Sequence, residues 1–155
     1  MGVVFPHFYE EHIMPNLDFS KQDLPFELPQ RFFDFLCSKV VQDGLTTINL
    51  RDSDYSAKNG GFRPVEISIE KKGNLAFLHY VTEFAYVGSG YFSELAKSCD
   101  FDFSIGVFFS THTPVEPLSK VADFFKLHSD NFVSYVEIEL LDTVQVTTSK
   151  EHLAL

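Results

Sequence analysis

The sequence predicts a single α+β domain, with a mainly antiparallel sheet of five to six strands and two main helices packed on one face. Three observations support this prediction. Runs with the alternation of strands outnumber stretches with helical spacing. The turn sequence Lys71-Lys72-Gly73-Asn74 joins two such runs, which indicates an antiparallel hairpin. The 155 residues suit one domain, and 18 of them are Phe, which packs well on sheet surfaces.

Residues 1–27 are predicted to form an N-terminal arm that packs on the domain. Three prolines interrupt the arm, and Leu24–Glu27 is a candidate short edge strand. The hydrophobic residues of Phe5–Met14 would cover the second face of the sheet, so the protein is expected to be a monomer or a weak homodimer. The alternatives are a face covered by another subunit and an arm exchanged between subunits.

The first helix is predicted from about Pro29 to Gln42. Pro29 suits the first helical position, where its missing N–H group needs no partner, and Gly44 would end the helix as a C-cap. Helical spacing places an apolar stripe toward the core, formed by Phe32, Phe33, Leu36, Val40 and Val41.

Three strands are predicted next, at Leu45–Leu50, Val65–Glu70 and Leu75–Val87. The second alternates between apolar and polar residues, so one of its faces should be buried. The third is the longest and is apolar on both sides, which indicates a central strand. Its two faces are predicted as Leu75, Phe77, Val81 and Ala85 on one side, and Leu78, Tyr80, Phe84 and Tyr86 on the other.

The second half of the chain is predicted to alternate between helices and strands. After a break at Gly88-Ser89-Gly90, a short helix is predicted at Tyr91–Ser98, followed by a strand at Phe101–Ser110 with its odd-numbered residues on one face. A turn at Thr113–Pro117 leads to a helix at Leu118–His128, which is stopped by Ser129-Asp130-Asn131. The last predicted elements are one or two strands at Val133–Leu140 and Thr143–Thr148 and a frayed tail at residues 149–155.

Composition argues against several classes of partner. The formal net charge is −10, and the basic residues are scattered, so neither nucleic acid nor an anionic membrane is expected as a partner. The N-terminus lacks the pattern of a signal peptide, so the acidic chain is expected to be soluble and cytoplasmic. Cys37 and Cys99 are interpreted as buried free thiols, with a disulfide as the alternative. Neither a metal site nor a cofactor is predicted.

The segment between the first two predicted strands holds the densest set of polar side chains. Its candidate ligand-binding residues are Arg51, Asp52, Asp54, Tyr55 and Arg63, and His79 is a further candidate. Asn59-Gly60-Gly61 should supply positive φ angles for a turn. The segment begins like a calcium loop, but Ala57 replaces the required glycine and Arg63 the closing glutamate, so tight calcium binding is not expected.

No complete set of catalytic residues is recognisable. His79 is predicted to pair with Glu66 or Glu70 across the hairpin, and His112 lies at a strand end without a recognisable nucleophile. The leading hypothesis is therefore a non-enzymatic module that binds a small ligand or a protein through residues 51–63. The alternative is a small hydrolase or isomerase with a His79 or His112 base and an arginine anchor. A deep pocket uniting histidine, carboxylate and arginine would favour the enzyme, and a flat or self-paired surface the binding module.

The run R-D-S-D-Y-S-A-K-N-G-G-F-R-P-V-E-I, with an apolar helix before it and a hairpin after it, resembles a family of short uncharacterised gamma-proteobacterial proteins, a domain of unknown function. The resemblance is most specific over Asn49–Ile67 and covers most of the chain. It implies a bacterial single-domain protein and assigns no activity or catalytic residue.

Overall fold

The computed structural model describes residues 16–150, which form a seven-stranded sheet and two α-helices. The α+β class is confirmed, but the prediction of five to six strands was too low. The helices are α1 (Gln30–Lys39) and α2 (Ala122–Glu137). The strands are β1 (Gly44–Arg51), β2 (Val65–Lys72), β3 (Leu75–Val87), β4 (Glu94–Asp102), β5 (Val107–Ser110), β6 (Thr113–Pro117) and β7 (Thr143–Ser149).

All neighbouring strands of the sheet are antiparallel, in the order β6-β5-β4-β3-β2-β1-β7. The first six strands follow one another as a meander, and β7 returns after α2 to pair with the free side of β1. The two edge strands differ in chemistry. Pro114 and Pro117 remove two backbone donors from β6, whereas β7 contains no proline. Within residues 16–150 no helix is both long enough and apolar enough to cross a membrane.

Both helices pack on the same face of the sheet around a cluster of phenylalanine rings. Phe125 of α2 lies 4.9 Å from the ring of Phe101 on β4 and 5.3 Å from that of Phe32 on α1, both edge to face. Phe32, Leu36 and Val40 are fully buried, which confirms their predicted place in the core.

Val41 is 57% exposed, so its predicted place in the apolar stripe was wrong. The helix ends at Lys39, and Val40 has extended backbone angles, which turn the next side chain away from the core. Gly44 is the first residue of β1 rather than the helix cap.

Only part of the predictions for the two ends of the chain falls on residues that the structure describes. The proposed cover formed by Phe5–Met14 lies outside the described residues. Leu24–Glu27 is not a strand, and Phe26 of this segment instead packs against the rings of Phe103 and Phe125. Ser149 belongs to β7 and pairs with Leu45, so the predicted frayed tail does not include this residue, and residues 151–155 of that tail lie outside the described part of the chain. Cys37 and Cys99 are free and buried, as interpreted from the sequence.

A β-bulge changes which side chains of β3 face the helices. Leu78 pairs with Ile69 and Val81 pairs with Ile67, so β3 carries one extra residue, His79, within this stretch. Leu78 and Val81 are consequently both buried in the core, although strict alternation predicted opposite faces. The prediction failed because a bulge shifts the two-residue period by one position.

The predicted strand Phe101–Ser110 is two strands, and the predicted helix Tyr91–Ser98 lies largely within β4. A turn separates β4 from β5 and leaves Ile105 70% exposed. Phe108, which pairs with Phe101, is buried, whereas Phe109 points outward. An unbroken alternation across this region therefore assigned the wrong residues to the core.

Thr113–Pro117, predicted as a turn, is edge strand β6. Helix α2 continues past the predicted stop and ends at Glu137, within the segment Val133–Leu140 that was predicted as a strand. The polar residues that indicated a stop are accommodated within the helix. Ser129 donates a hydrogen bond to the carbonyl of Lys126, and Asp130 forms an ion pair with Lys126 at 2.6 Å. The helix persists because Phe132 and Val133 extend its buried face.

Candidate functional site

The connection between β1 and β2 is folded by the carboxylate of Asp52. One of its oxygens accepts a hydrogen bond from the backbone N–H of Asp54, and the other accepts one from the N–H of Phe62, both at 2.9 Å. Gly60 and Gly61 have φ angles of 68° and 131°, as predicted for this turn. Asp52 thus has a structural role in the connection, while Asp54 is exposed.

Tyr55 joins this connection to the far end of β3. Its ring lies 5.1 Å from the ring of Tyr86, and its hydroxyl accepts a hydrogen bond from the backbone N–H of Tyr86 at 3.1 Å. Arg51 is exposed at the end of β1, where it pairs with Thr143 of β7. Of the predicted binding residues, Tyr55 therefore braces the β3–β4 hairpin.

Arg63 belongs to a group of side chains that we call the Glu83 cluster: Arg63, Glu83, Ser98, Cys99 and His128. One oxygen of Glu83, Oε2, accepts hydrogen bonds from Ser98 Oγ at 2.7 Å and Arg63 Nη1 at 3.3 Å. The other, Oε1, lies 3.3 Å from His128 Nε2, which is also 3.9 Å from Cys99 Sγ. Helix α2, strands β3 and β4, and the end of the β1–β2 connection each contribute to the cluster.

The environment of the cluster shifts two pKa values in opposite directions. Burial raises the pKa of Glu83, but hydrogen bonds from His128 and Ser98, the charge of His128 and a hydrogen bond from Arg63 outweigh burial and lower this pKa to about 2. Burial and the nearby charge of Glu83 raise the pKa of the Cys99 thiol to about 12. Glu83 is thus ionised at neutral pH, whereas Cys99 is a neutral thiol.

A pocket of about 270 Å³ opens beside the cluster. It is lined by Gly61, Phe62, Arg63, Val65, Glu83, His128, Asn131, Phe132, Tyr135 and Leu141. The pocket unites a histidine, a carboxylate and an arginine, which is the combination that would favour an enzyme, but these groups are already paired with one another. The paired state is what the binding-module hypothesis expects.

The cluster does not form the relay of a thiol enzyme. Such a relay uses one imidazole nitrogen for the nucleophile and the other for the carboxylate. Here Cys99 and Glu83 both approach Nε2 of His128. Nδ1 is buried without a hydrogen-bond partner among residues 16–150, and the ring packs near Phe101 and Phe132. The alternative of a small enzyme stays a prediction, and this cluster supplies no catalytic relay for it.

His79 lies apart from Arg63, toward the other end of β3. Its Nε2 is 2.8 Å from Glu70 Oε1, in agreement with the predicted cross-strand pair, and its Nδ1 is 3.1 Å from Ser104 Oγ. His112 is exposed in the turn between β5 and β6. The structure therefore places His79 apart from the predicted site residues of the β1–β2 connection.

Sequence reasoning did not assign Glu83, Ser98, Cys99 or His128 to a site. The available signal was the position of His128 on the apolar face of a helix, where a histidine needs a polar partner. Its partners come from strands 29 and 45 residues earlier in the chain, so no local spacing indicates them.

The β3–β4 hairpin extends beyond the neighbouring strands. The last ladder pair of β2 with β3 is Val65 with Glu83, and β5 pairs with β4 only from Cys99 onward. The end of the hairpin carries an apolar surface that we call the tip surface: Tyr86, Val87, Tyr91, Phe92 and Leu95. Tyr91 is fully exposed and Phe92 is 86% exposed.

The lowered pKa of Glu83 predicts that acid reduces the stability of the protein, measured with chelator present so that no metal ion is bound. Because the folded-state pKa of about 2 lies below the ordinary value of 4.5, Glu83 contributes stability above the ordinary pKa that is lost as the pH falls through the folded-state pKa. The difference in free energy of unfolding between wild type and Glu83→Gln should therefore shrink from about pH 5 to about pH 2. Denaturant titrations at each pH measure the difference, and one that stays constant would contradict the assigned shift.

Comparisons with known proteins place the chain among bacterial relatives. A family model described as "Protein of unknown function (DUF2787)" matches residues 32–147. The hypothetical protein VC0508 from the Vibrio cholerae VSP-II pathogenicity island is similar in structure, with a TM-score of 0.72 and 29% identity over 84% of this chain and 100% of the other.

A second similar structure is that of the conserved hypothetical protein VC1805 from Vibrio cholerae pathogenicity island VPI-2. The TM-score is 0.69 and the identity 30%, over 81% of this chain and 98% of the other. VC1805 is described as sharing structural homology with the human P32 protein. No curated protein matches the sequence.

Proposed function

The chain belongs to the DUF2787 family of proteins of unknown function, and on that basis we propose from its own surface that it is a protein-binding module. The observation that supports this proposal is the tip surface, which holds two almost fully exposed aromatic side chains, Tyr91 and Phe92. Soluble proteins rarely gather large apolar side chains at one exposed place unless the surface has a partner. Aromatic residues also dominate the binding energy of protein interfaces.

The β1–β2 connection supports the tip surface from one side. Tyr55 contacts Tyr86 through both its ring and its hydroxyl, and Asp52 holds the connection in the conformation that presents Tyr55. A braced hairpin loses less conformational entropy on binding than a free one. In this proposal residues 51–63 support binding by bracing the hairpin, and the hairpin supplies the apolar contact.

Charge favours a partner other than a second copy of this chain. The net charge of −10 makes two copies repel one another, and Glu94 on the hairpin and Asp54 in the adjacent connection are exposed acidic groups. A protein with an apolar pocket rimmed by basic side chains complements both properties. Its binding should therefore weaken as salt is added.

A photo-crosslinking amino acid at position 91, introduced into the full chain in living cells of its bacterial host, tests the proposal. The matched control is the same replacement at position 105, because Ile105 is an exposed apolar residue at the opposite end of β4. Position 91 should crosslink a specific protein that position 105 does not, and that protein is then purified for binding measurements. Sedimentation of the purified chain tests for self-association.

The purified partner should bind the wild type at least about tenfold more tightly than the Tyr91→Ala/Phe92→Ala variant, a difference of about 1.4 kcal/mol or more. Ile105→Ala should leave the affinity unchanged. Equal crosslinking at both positions, an unchanged affinity in the double variant, or crosslinking only to a second copy of the chain would overturn the proposal.

A further inference from the structure

Three donor atoms of the Glu83 cluster converge on one point. The Cys99 sulfur, an imidazole nitrogen of His128 and a carboxylate oxygen of Glu83 all lie within 4.8 Å of one another, and His128 Nε2 is close to both Cys99 Sγ and Glu83 Oε1. An ion pair between Glu83 and His128 accounts for only two of the three groups. Convergence of a thiol, an imidazole nitrogen and a carboxylate oxygen is the arrangement that a metal ion requires.

Two of the three separations between the donor atoms are close to those of tetrahedral zinc. With bonds of about 2.3 Å to sulfur and about 2.05 Å to nitrogen and oxygen, the nitrogen lies about 3.6 Å from the sulfur and about 3.3 Å from the oxygen. The corresponding separations here are 3.9 Å and 3.3 Å. A contraction of a few tenths of an ångström between Cys99 and His128 brings these two atoms to zinc-binding distance.

The surroundings orient the carboxylate and leave a path to the centre. Ser98 and Arg63 engage Oε2 of Glu83, so Oε1 is the oxygen directed at His128. Hydrogen bonds to the oxygen that does not bind the metal fix the direction in which the other oxygen presents its lone pair. Glu83 and His128 also line the 270 Å³ pocket, which gives an ion access and leaves space for a fourth ligand.

We propose that Glu83, Cys99 and His128 form a site for Zn²⁺, with a solvent molecule in the fourth position. On binding, the Cys99 thiol releases its proton to solvent and the thiolate sulfur bonds to the metal. The hydrogen that His128 Nε2 donates to Glu83 in the metal-free protein also leaves, either to solvent or to Nδ1 of the same ring, so that Nε2 ligates through its lone pair. The site is independent of the tip surface, so either proposal can fail without the other.

Purified full-length chain, freed of metal with chelator, is titrated with Co²⁺ alone and with Zn²⁺ alone. Co²⁺ is a spectroscopic probe for this site, because cobalt bound to thiolate gives a charge-transfer band and tetrahedral cobalt gives intense visible bands. Both should appear with one equivalent of Co²⁺, and Zn²⁺ should displace them. Bound Zn²⁺ should also raise the melting temperature.

Matched variants locate the site. Cys37→Ser is the control, because Cys37 is the other cysteine, is free and is buried to the same degree as Cys99. Cys99→Ser should abolish the thiolate band and Cys37→Ser should keep it. Glu83→Gln keeps the side-chain size and should weaken Zn²⁺ binding by about 10–100-fold or more, the loss typical when a residue that orients a metal ligand is removed.

Absence of the thiolate band in the wild type would overturn the proposal, as would a band that survives Cys99→Ser or disappears in Cys37→Ser. Circular dichroism checks that each variant is folded. If Cys99→Ser does not fold, Glu83→Gln decides the matter, because unchanged Zn²⁺ affinity in that variant excludes Glu83 as a ligand and the proposed site with it.

Discussion

Replacing Phe32 with alanine should lower the free energy of unfolding by about 3–5 kcal/mol. Phe32 has no exposed surface, and its ring lies 5.3 Å from that of Phe125 and 5.9 Å from that of Phe132. The truncation removes a ring through which α1 packs against α2, and it leaves a cavity between two helices that cannot fully close. Chemical denaturation with a fitted midpoint and slope measures the change.

Phe92→Ala is the matched control, because it removes the same ring from a side chain that is 86% exposed. Its effect on stability should stay within about 0.5 kcal/mol, as for most surface changes. A loss below about 1 kcal/mol for Phe32→Ala would show that the core between the helices is assigned wrongly.

Gly44→Ala should destabilise the protein by about 2–6 kcal/mol, the sum of backbone strain and overpacking. Gly44 has a φ of 131°, which residues with a side chain rarely adopt. A β-carbon there would overlap the backbone carbonyl of Ser149 and lie 3.1 Å from the side chain of Thr148. Because these atoms belong to β7, relief of the clash requires β1 and β7 to separate at this end.

Gly73→Ala is the control for a positive φ angle without a close approach. Gly73 also has a positive φ, of 60°, but a β-carbon there meets no atom within 4 Å. This control should lose only the backbone strain, about 1–2 kcal/mol. Thermal unfolding compares the two variants, and equal losses would show that the close approach of β7 contributes nothing.

The first three strands could be predicted from the sequence because local signals agree there. Leu75–Val87 is found with the predicted bounds, since a turn precedes it and glycines follow it. The second half was predicted poorly because local and tertiary preferences disagree. Val133–Leu140 is rich in residues that favour strands, yet most of it is helical since Phe132 and Val133 are buried on the same face of α2 as Phe125.

The site was predictable only in part for a related reason. Arg63 was identified because it stands in a local concentration of polar residues. Its partner Glu83 and the more distant His128 are brought to it by the pairing of β2 with β3 and by the packing of α2 on the sheet. The sequence shows neither the register of a sheet nor the rotation of a helix upon it. Candidate residues could therefore be named, but not their contacts.

The unequal edges of the sheet limit how sheets of this protein can join. Strand β7 contains no proline, so another strand can pair with its backbone, whereas Pro114 and Pro117 remove two donors from β6. When two copies pair through their β7 edges, each copy has only its β6 edge, which lacks two donors, for further pairing. Edge-to-edge addition through β7 would thus terminate at a pair, and the indefinite growth that leads to fibrils would need both sides.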